Sequence, residues 1–140
     1  MELTILIPAL NEEETIGICI EKAKKFIADN KIEAETLIAN NNSIDKTEEI
    51  AKNLGARVIS VETEGYGAAL IEGTKNAKGK YIIMGDADDS YNFLEIEDFY
   101  KQLKNGNDFV IGNRLKGKIK KGAMPFLHRC IFRTALLINL

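Results

Sequence analysis

Histidine and cysteine are almost missing from this sequence: His128, Cys19 and Cys130 are all that 140 residues contain. With no Cys/His cluster, a zinc site of the usual four-ligand kind is not expected. The two cysteines lie far apart in apolar-rich segments. That is the pattern of buried free thiols, and it fits a cytosolic setting. Long apolar runs are missing too. No stretch reaches the roughly 18 apolar residues that would span a bilayer. Glu2 and the polar run at 11–14 interrupt any opening segment of signal-peptide form. Neither internal repeats nor low-complexity linkers occur, so the length implies one domain around a single core.

Acids are absent from residues 114–140, which carry Arg114, Lys116, Lys118, Lys120, Lys121, Arg129 and Arg133. Residues 1–113 hold all 21 acids against 12 of the 19 bases, a formal charge of −9. An acidic body with a basic end implies an anionic partner for that end, unless the lysines only solvate a loop. Composition is otherwise that of a globular protein, at 45% hydrophobic and 29% charged.

Short apolar runs at 3–7, 36–39, 57–61, 81–84 and 109–111 are near-continuous, as strands covered on both faces should be. Between them lie helix-like segments at 12–27, 46–54, 68–77 and 95–103. Asn11 and Asp45 stand where helices begin, and Gly55 stands where one ends. Strand–helix alternation predicts an α/β/α sandwich with a mainly parallel sheet. Ligands of such sheets bind outside the carboxyl ends of the strands, so the residues after each run carry the chemistry.

The run 81–89 drives Asp86, Asp88 and Asp89 to the end of a buried strand, where their repulsion favours a cation. Carboxylates one residue apart can share Mg²⁺ or Mn²⁺ and leave coordination sites for phosphate oxygens. A solvated acidic turn is the plain alternative. Pro8, lacking an N–H, ends the first strand; Ala9, Asn11 and Glu12 then face a base and ribose or merely cap a helix. The loop Asn40 to Asp45 reads in the same two ways. Gly65 and Gly67 partly imitate a dinucleotide fingerprint, but Leu70 takes the third glycine's place, so only an approach to phosphate is kept. Arg114 is a candidate phosphate fork. From Pro125 onward an apolar helix is predicted, with Arg129 and Arg133 on one side and His128 in a positional role.

In order and spacing these segments resemble glycosyltransferase family 2, of the GT-A fold. The nearest branch is that of the dolichyl-phosphate mannosyl- and glucosyltransferases, whose relatives carry a run like that at 122–129. The resemblance implies a metal-dependent, inverting transfer from a UDP- or GDP-sugar to a polyprenyl phosphate. It places Pro8, Glu12 and Asn40 at the nucleotide, Asp45 in support of that loop or at the ribose, Ala87 beside the ribose, Asp86 and Asp88 at the metal, and Arg114 at donor or acceptor phosphate. Together with the readings above, the expected nucleotide-sugar contacts are Pro8, Ala9, Asn11, Glu12, Asn40, Asp45, Gly65, Gly67, Asp86, Ala87 and Arg114, with Asp88 and Arg114 catalytic. The resemblance expects aspartate where Asn40 stands and often glycine where Asn42 stands. It also expects a further acceptor-side half beyond Leu140. The implied layout is a donor domain at 1–114 and a basic loop with an amphipathic helix at 115–140. That end would touch anionic membrane at the cytoplasmic face, or pair copies of the chain through its apolar helix. No nucleic-acid partner is expected. Two other readings are a non-catalytic nucleotide-sugar-binding subunit and a nucleotidyltransferase. The second normally opens on a glycine- and basic-rich loop that 8–13 lacks.

Overall fold

The computed structural model describes residues 1–112. It divides the chain into two units, Met1–Asp108 and Phe109–Leu140. In the first, four strands and four helices alternate. β1 (Leu3–Ala9), α1 (Ile16–Asp29), β2 (Ala34–Asn40), α2 (Thr47–Asn53) and β3 (Arg57–Ser60) come first. α3 (Tyr66–Asn76), β4 (Tyr81–Met84), a 3₁₀ turn (Phe93–Glu95) and α4 (Glu97–Lys104) follow.

All strand pairs are parallel, and the sheet order is β3-β2-β1-β4. The chain steps outward from β1 to β3, then crosses back to lay β4 on the other side of β1. The direction of winding therefore reverses between β1 and β4, the place where parallel sheets open a crevice at their carboxyl edge.

Strand residues alternate between two cores. Leu3, Ile5, Ile7 and Ile38 pack with Ile16, Ile20, Phe26, Phe93 and Tyr100. Leu6, Leu37 and Ala39 pack with Val61 and with Ala69 of α3. Cover on both faces is why the strands read as continuous apolar runs. At the amino edge of the sheet, Glu35 accepts from Arg57 Nε (2.8 Å), Thr4 Oγ1 (2.9 Å) and the Lys78 N–H (2.9 Å), which ties three strands together.

Three expectations change. Pro8 lies inside β1, paired with Ala39 of β2; pairing with β4 stops at Leu6, so no ladder on that side needs the missing N–H. α1 starts at Ile16, four residues later than expected, because 11–15 form a turn of their own. The run 109–111 is not a strand. Phe109 and Ile111 are 78% and 77% exposed, with no strand partner among the described residues. An apolar run becomes a strand only where a neighbour supplies hydrogen bonds and cover.

Candidate active site

At the reversal between β1 and β4 lies a cleft of about 260 Å³. Pro8 and Ala9 line it from β1, Leu10 and Glu12 from the loop after it, and Asn41 from just beyond β2. Gly65, Tyr66 and Ala69 line it from the start of α3, and Asp86, Ala87 and Asp88 from beyond β4. Of the residues singled out in the sequence, Pro8, Ala9, Glu12, Gly65, Asp86, Ala87 and Asp88 thus meet in one cavity. Asn41, from the loop expected to face a ligand, joins them, as do Leu10, Tyr66 and Ala69, which the sequence reading did not single out.

The acidic loop is held from several sides. The Gly85 N–H donates to the Leu6 carbonyl at 3.2 Å. The Phe93 ring lies so close to Gly85 that a Cβ there would meet ring atoms at 2.6 and 2.8 Å. Cys19 of α1, fully buried, donates its S–H to the Ala87 carbonyl (Sγ···O 3.3 Å). Burial pushes the Cys19 thiol pKa up, keeping it a neutral donor. Asp88 accepts from the Ser90 N–H at 2.9 Å. Asp89, at φ 58°, pairs with Lys22 at 2.7 Å. The three equivalent carboxylates of the sequence are therefore two in the cleft and one neutralised beside α1.

The loops after β1 and β2 are stitched to each other. The Asn11 N–H donates to Ser43 Oγ (3.0 Å), and Asn11 Oδ1 accepts from the Ile44 N–H (2.9 Å). The Glu12 N–H donates to Thr47 Oγ1 (2.8 Å), and the Glu13 N–H to Asp45 Oδ2 (3.1 Å). Asp45 also accepts from the Thr47 N–H at 2.9 Å, opening α2. Desolvation opposes ionisation of Asp45, but the bonds from Thr47 and Glu13 outweigh it and hold its pKa below the ordinary value. Asn40 is buried; it donates to Glu48 and accepts from the Ser43 N–H. Asn11, Asn40 and Asp45 thus spend hydrogen bonds on loop architecture and are not among the residues lining the cleft. Asn42 adopts φ 64°, the conformation for which a glycine is often used.

Across the cleft, Asn41 donates to the carbonyls of Val61 (3.1 Å) and Thr63 (2.7 Å) and accepts from the Gly65 N–H (2.7 Å). Gly65 sits at φ 118°, a conformation that side-chain-bearing residues rarely adopt, and α3 begins immediately after it. A Cβ on Gly67 would meet nothing within 4 Å, so the chain is open there. The first turn of α3 carries N–H groups without helical partners and the positive end of the helix dipole. Tyr66 reaches over to donate its hydroxyl to Asp86 Oδ1 at 2.7 Å. That bond, with partial burial, pushes the phenol pKa up to about 12.

The donor set suits a hard divalent cation. Two carboxylates line one cleft, with the third drawn away by Lys22. Among the described residues, no group of three or more His, Cys, Asp or Glu forms a protein-only cage. A cation bound by two carboxylates completes its coordination with water and ligand phosphates. Arg114, the basic segment at 116–121, His128 and the predicted helix from Pro125 lie outside the described residues. Among the described residues, no helix is long and apolar enough to cross a membrane.

Sheet, crevice and acid pair together define an α/β protein whose candidate site lies at the carboxyl edge of a parallel sheet. The chain belongs to glycosyl transferase family 2, whose model matches residues 4–138. The low-salt glycan biosynthesis hexosyltransferase of Haloferax volcanii is 41% identical over 127 residues, covering 90% of this chain and 30% of that protein. The dolichyl-phosphate hexose transferase of the same organism is 33% identical over 130 residues, covering 91% and 54%. The chain therefore spans 30% and 54% of the length of these two relatives. Among solved structures, glucosyl-3-phosphoglycerate synthase of Mycobacterium tuberculosis in complex with Mn²⁺, UDP and glucosyl-3-phosphoglycerate is similar with a TM-score of 0.56. It is 30% identical, and the match covers 61% of this chain and 33% of that one. Mannosyl-3-phosphoglycerate synthase of Rubrobacter xylanophilus, at 22% identity and a TM-score of 0.59, shares the fold over 63% of this chain and 31% of its own. The architecture is that of the GT-A glycosyltransferases, as the sequence led one to expect.

Proposed function

We propose that this chain forms the donor side of a glycosyltransferase that moves a hexose from a UDP- or GDP-sugar to a polyprenyl phosphate at the cytoplasmic membrane face. One observation carries the reading: Asp86 and Asp88 line a single cleft at the sheet's switch point, opposite the amino end of α3. The names of the Haloferax relatives support a hexose and a dolichyl-type acceptor. The Mn²⁺ and UDP of the mycobacterial complex support a divalent cation and a nucleoside diphosphate.

Asp86 and Asp88 would hold Mg²⁺ or Mn²⁺, which when bound supplies positive charge against the departing diphosphate. The chain's own residues do the rest. Pro8, Ala9 and Glu12 form the wall for base and ribose, and the buried Ala87 brings backbone close to the ribose. Gly65 and Gly67 let the start of α3, with its dipole, approach the phosphates. Asn11, Asn40 and Asp45 act by holding these loops in register. Arg114 would neutralise donor or acceptor phosphate. A lipid-phosphate acceptor is already an anion at neutral pH, so inverting attack at the anomeric carbon makes little demand on a general base.

Titration of UDP-glucose and GDP-mannose against the chain, with and without Mn²⁺, tests the reading. Binding is expected to require the cation and to be lost in Asp88→Ala. Donor binding that ignores both Mn²⁺ and that substitution would refute it.

A further inference from the structure

Tyr66 has no part in the site as the sequence presents it, yet its hydroxyl is 2.7 Å from Asp86 Oδ1, across 20 residues of chain. We infer that Tyr66 is a positioning residue, holding the Asp86 carboxylate by one oxygen so that the other is presented to a divalent cation shared with Asp88. The inference rests on the donor-site reading above.

Core packing does not put the phenol there, because Tyr66 is 60% exposed. What directs it is a relay of hydrogen bonds from the end of β2. Asn41 is fixed by the carbonyls of Val61 and Thr63, and it receives the Gly65 N–H at 2.7 Å. Gly65, at φ 118°, turns the chain into α3, with Tyr66 as its first residue. The ring then lines the same cleft as the carboxylate it binds.

The neighbouring acids are held by other groups: Asp89 by Lys22 and Asp88 by the Ser90 N–H. The side-chain bond that fixes Asp86 is the one from Tyr66. A carboxylate on an exposed turn otherwise samples several rotamers, and ordering it costs a cation part of its binding energy. Ligating carboxylates are commonly oriented by such outer partners, and losing one typically weakens metal binding 10- to 100-fold.

The test uses the 140-residue chain with saturating UDP and reads Mn²⁺ affinity by calorimetry or electron paramagnetic resonance, with Tm beside it. Wild type, Tyr66→Phe and Asp88→Asn are compared. The expectation is that Tyr66→Phe weakens Mn²⁺ binding about tenfold or more while Tm stays within about 1 °C, because the exposed ring is kept. Unchanged affinity would overturn the inference, as would a loss matched by a falling Tm. Tighter binding would also overturn it, by showing that the hydroxyl competes with the cation. If wild type binds no Mn²⁺ that Asp88→Asn removes, the donor-site reading itself fails. That outcome is distinct from a wild type that binds normally beside an unaffected Tyr66→Phe.

Discussion

Replacing Gly85 by alanine should damage both stability and the acidic loop, and the size of the damage follows from one contact. A Cβ at this position would lie 2.6 Å from Phe93 Cζ and 2.8 Å from Cε1, where ordinary van der Waals contact begins at 3.4 Å. Two ring carbons would have to retreat by about 0.6–0.8 Å, by that arithmetic. Phe93 is 1% exposed and packed in the core with Ile96 and Tyr100, so the ring has nowhere to swing. Overpacking of this kind costs about 1–3 kcal/mol. For a domain near 100 residues each kcal/mol moves Tm by roughly 4–8 °C, so a fall of about 5–20 °C is expected. Because Gly85 leads directly into Asp86, strain that the core does not absorb should pass into the loop and weaken the Mn²⁺-dependent UDP binding proposed above. Urea and thermal unfolding followed by circular dichroism give the stability. Phe93→Leu provides the control: combined with Gly85→Ala it should cost less than the sum of the two single changes by at least about 0.5 kcal/mol, since they share one contact. A Gly85→Ala protein with unchanged Tm, or strictly additive energies, would refute the argument.

Glu35 should make stability pH-dependent at the far end of the sheet. Desolvation opposes its ionisation, but Arg57, the Lys78 N–H and Thr4 outweigh it, so its folded pKa lies below the ordinary 4.5. The stabilisation is present above the unfolded pKa and is lost as pH falls from about 4.5 through the lower folded value. Glu35→Gln should cost about 1–3 kcal/mol at pH 7 by leaving Arg57 poorly matched; urea midpoints at pH 7 and pH 3.5 should converge with wild type at the acid end, and a constant difference would contradict this. In a Cys130→Ser background, Cys19 should react with a disulfide reagent only as fast as the fold opens, since it is fully buried and hydrogen-bonded; a rate like that of a free thiol in native buffer would show the loop is not held from below. The basic residues at 114–121 should give salt-sensitive sedimentation with vesicles rich in anionic lipid, falling as ionic strength rises; equal recovery with neutral vesicles would remove the membrane contact from the proposal.

What the sequence made legible was the backbone and the place of the chemistry. Apolar runs buried on both faces located β1 to β4, and the rule that ligands sit at carboxyl ends picked out the loops that border the cleft. Partner choice was not legible, because a polar side chain in a loop looks the same whether it faces a ligand or another loop. Asn11, Asn40 and Asp45 show this: each was open to a ligand role or a loop role, and each makes hydrogen bonds within the loops after β1 and β2. Asp86, Asp88 and Asp89 show it from the other side. The sequence contains no cue that Lys22, 67 residues away, removes the third from the group. The 109–111 run failed for a related reason, since strand formation depends on a neighbour that composition does not name.

Tyr66 marks the boundary between the two kinds of information. An aromatic residue flanked by glycines at a helix start has a local explanation, because glycine gives the backbone its turn and the ring need only be tolerated. Its meaning appears when three loops, none adjacent in sequence, are placed around one cleft and the phenol is found on the carboxylate. The loop network then has a function beyond rigidity. Asn41 fixes Gly65, Gly65 aims Tyr66, and Tyr66 holds Asp86, while Cys19, Phe93 and Lys22 fix the same acidic loop from α1 and the core. On the proposed reading, two carboxylates held this way would be poised for a cation before it arrives, so less of its binding energy would go into ordering them. An acidic turn left to solvent would need none of these restraints, and that contrast is the strongest physical argument for a cation at Asp86 and Asp88.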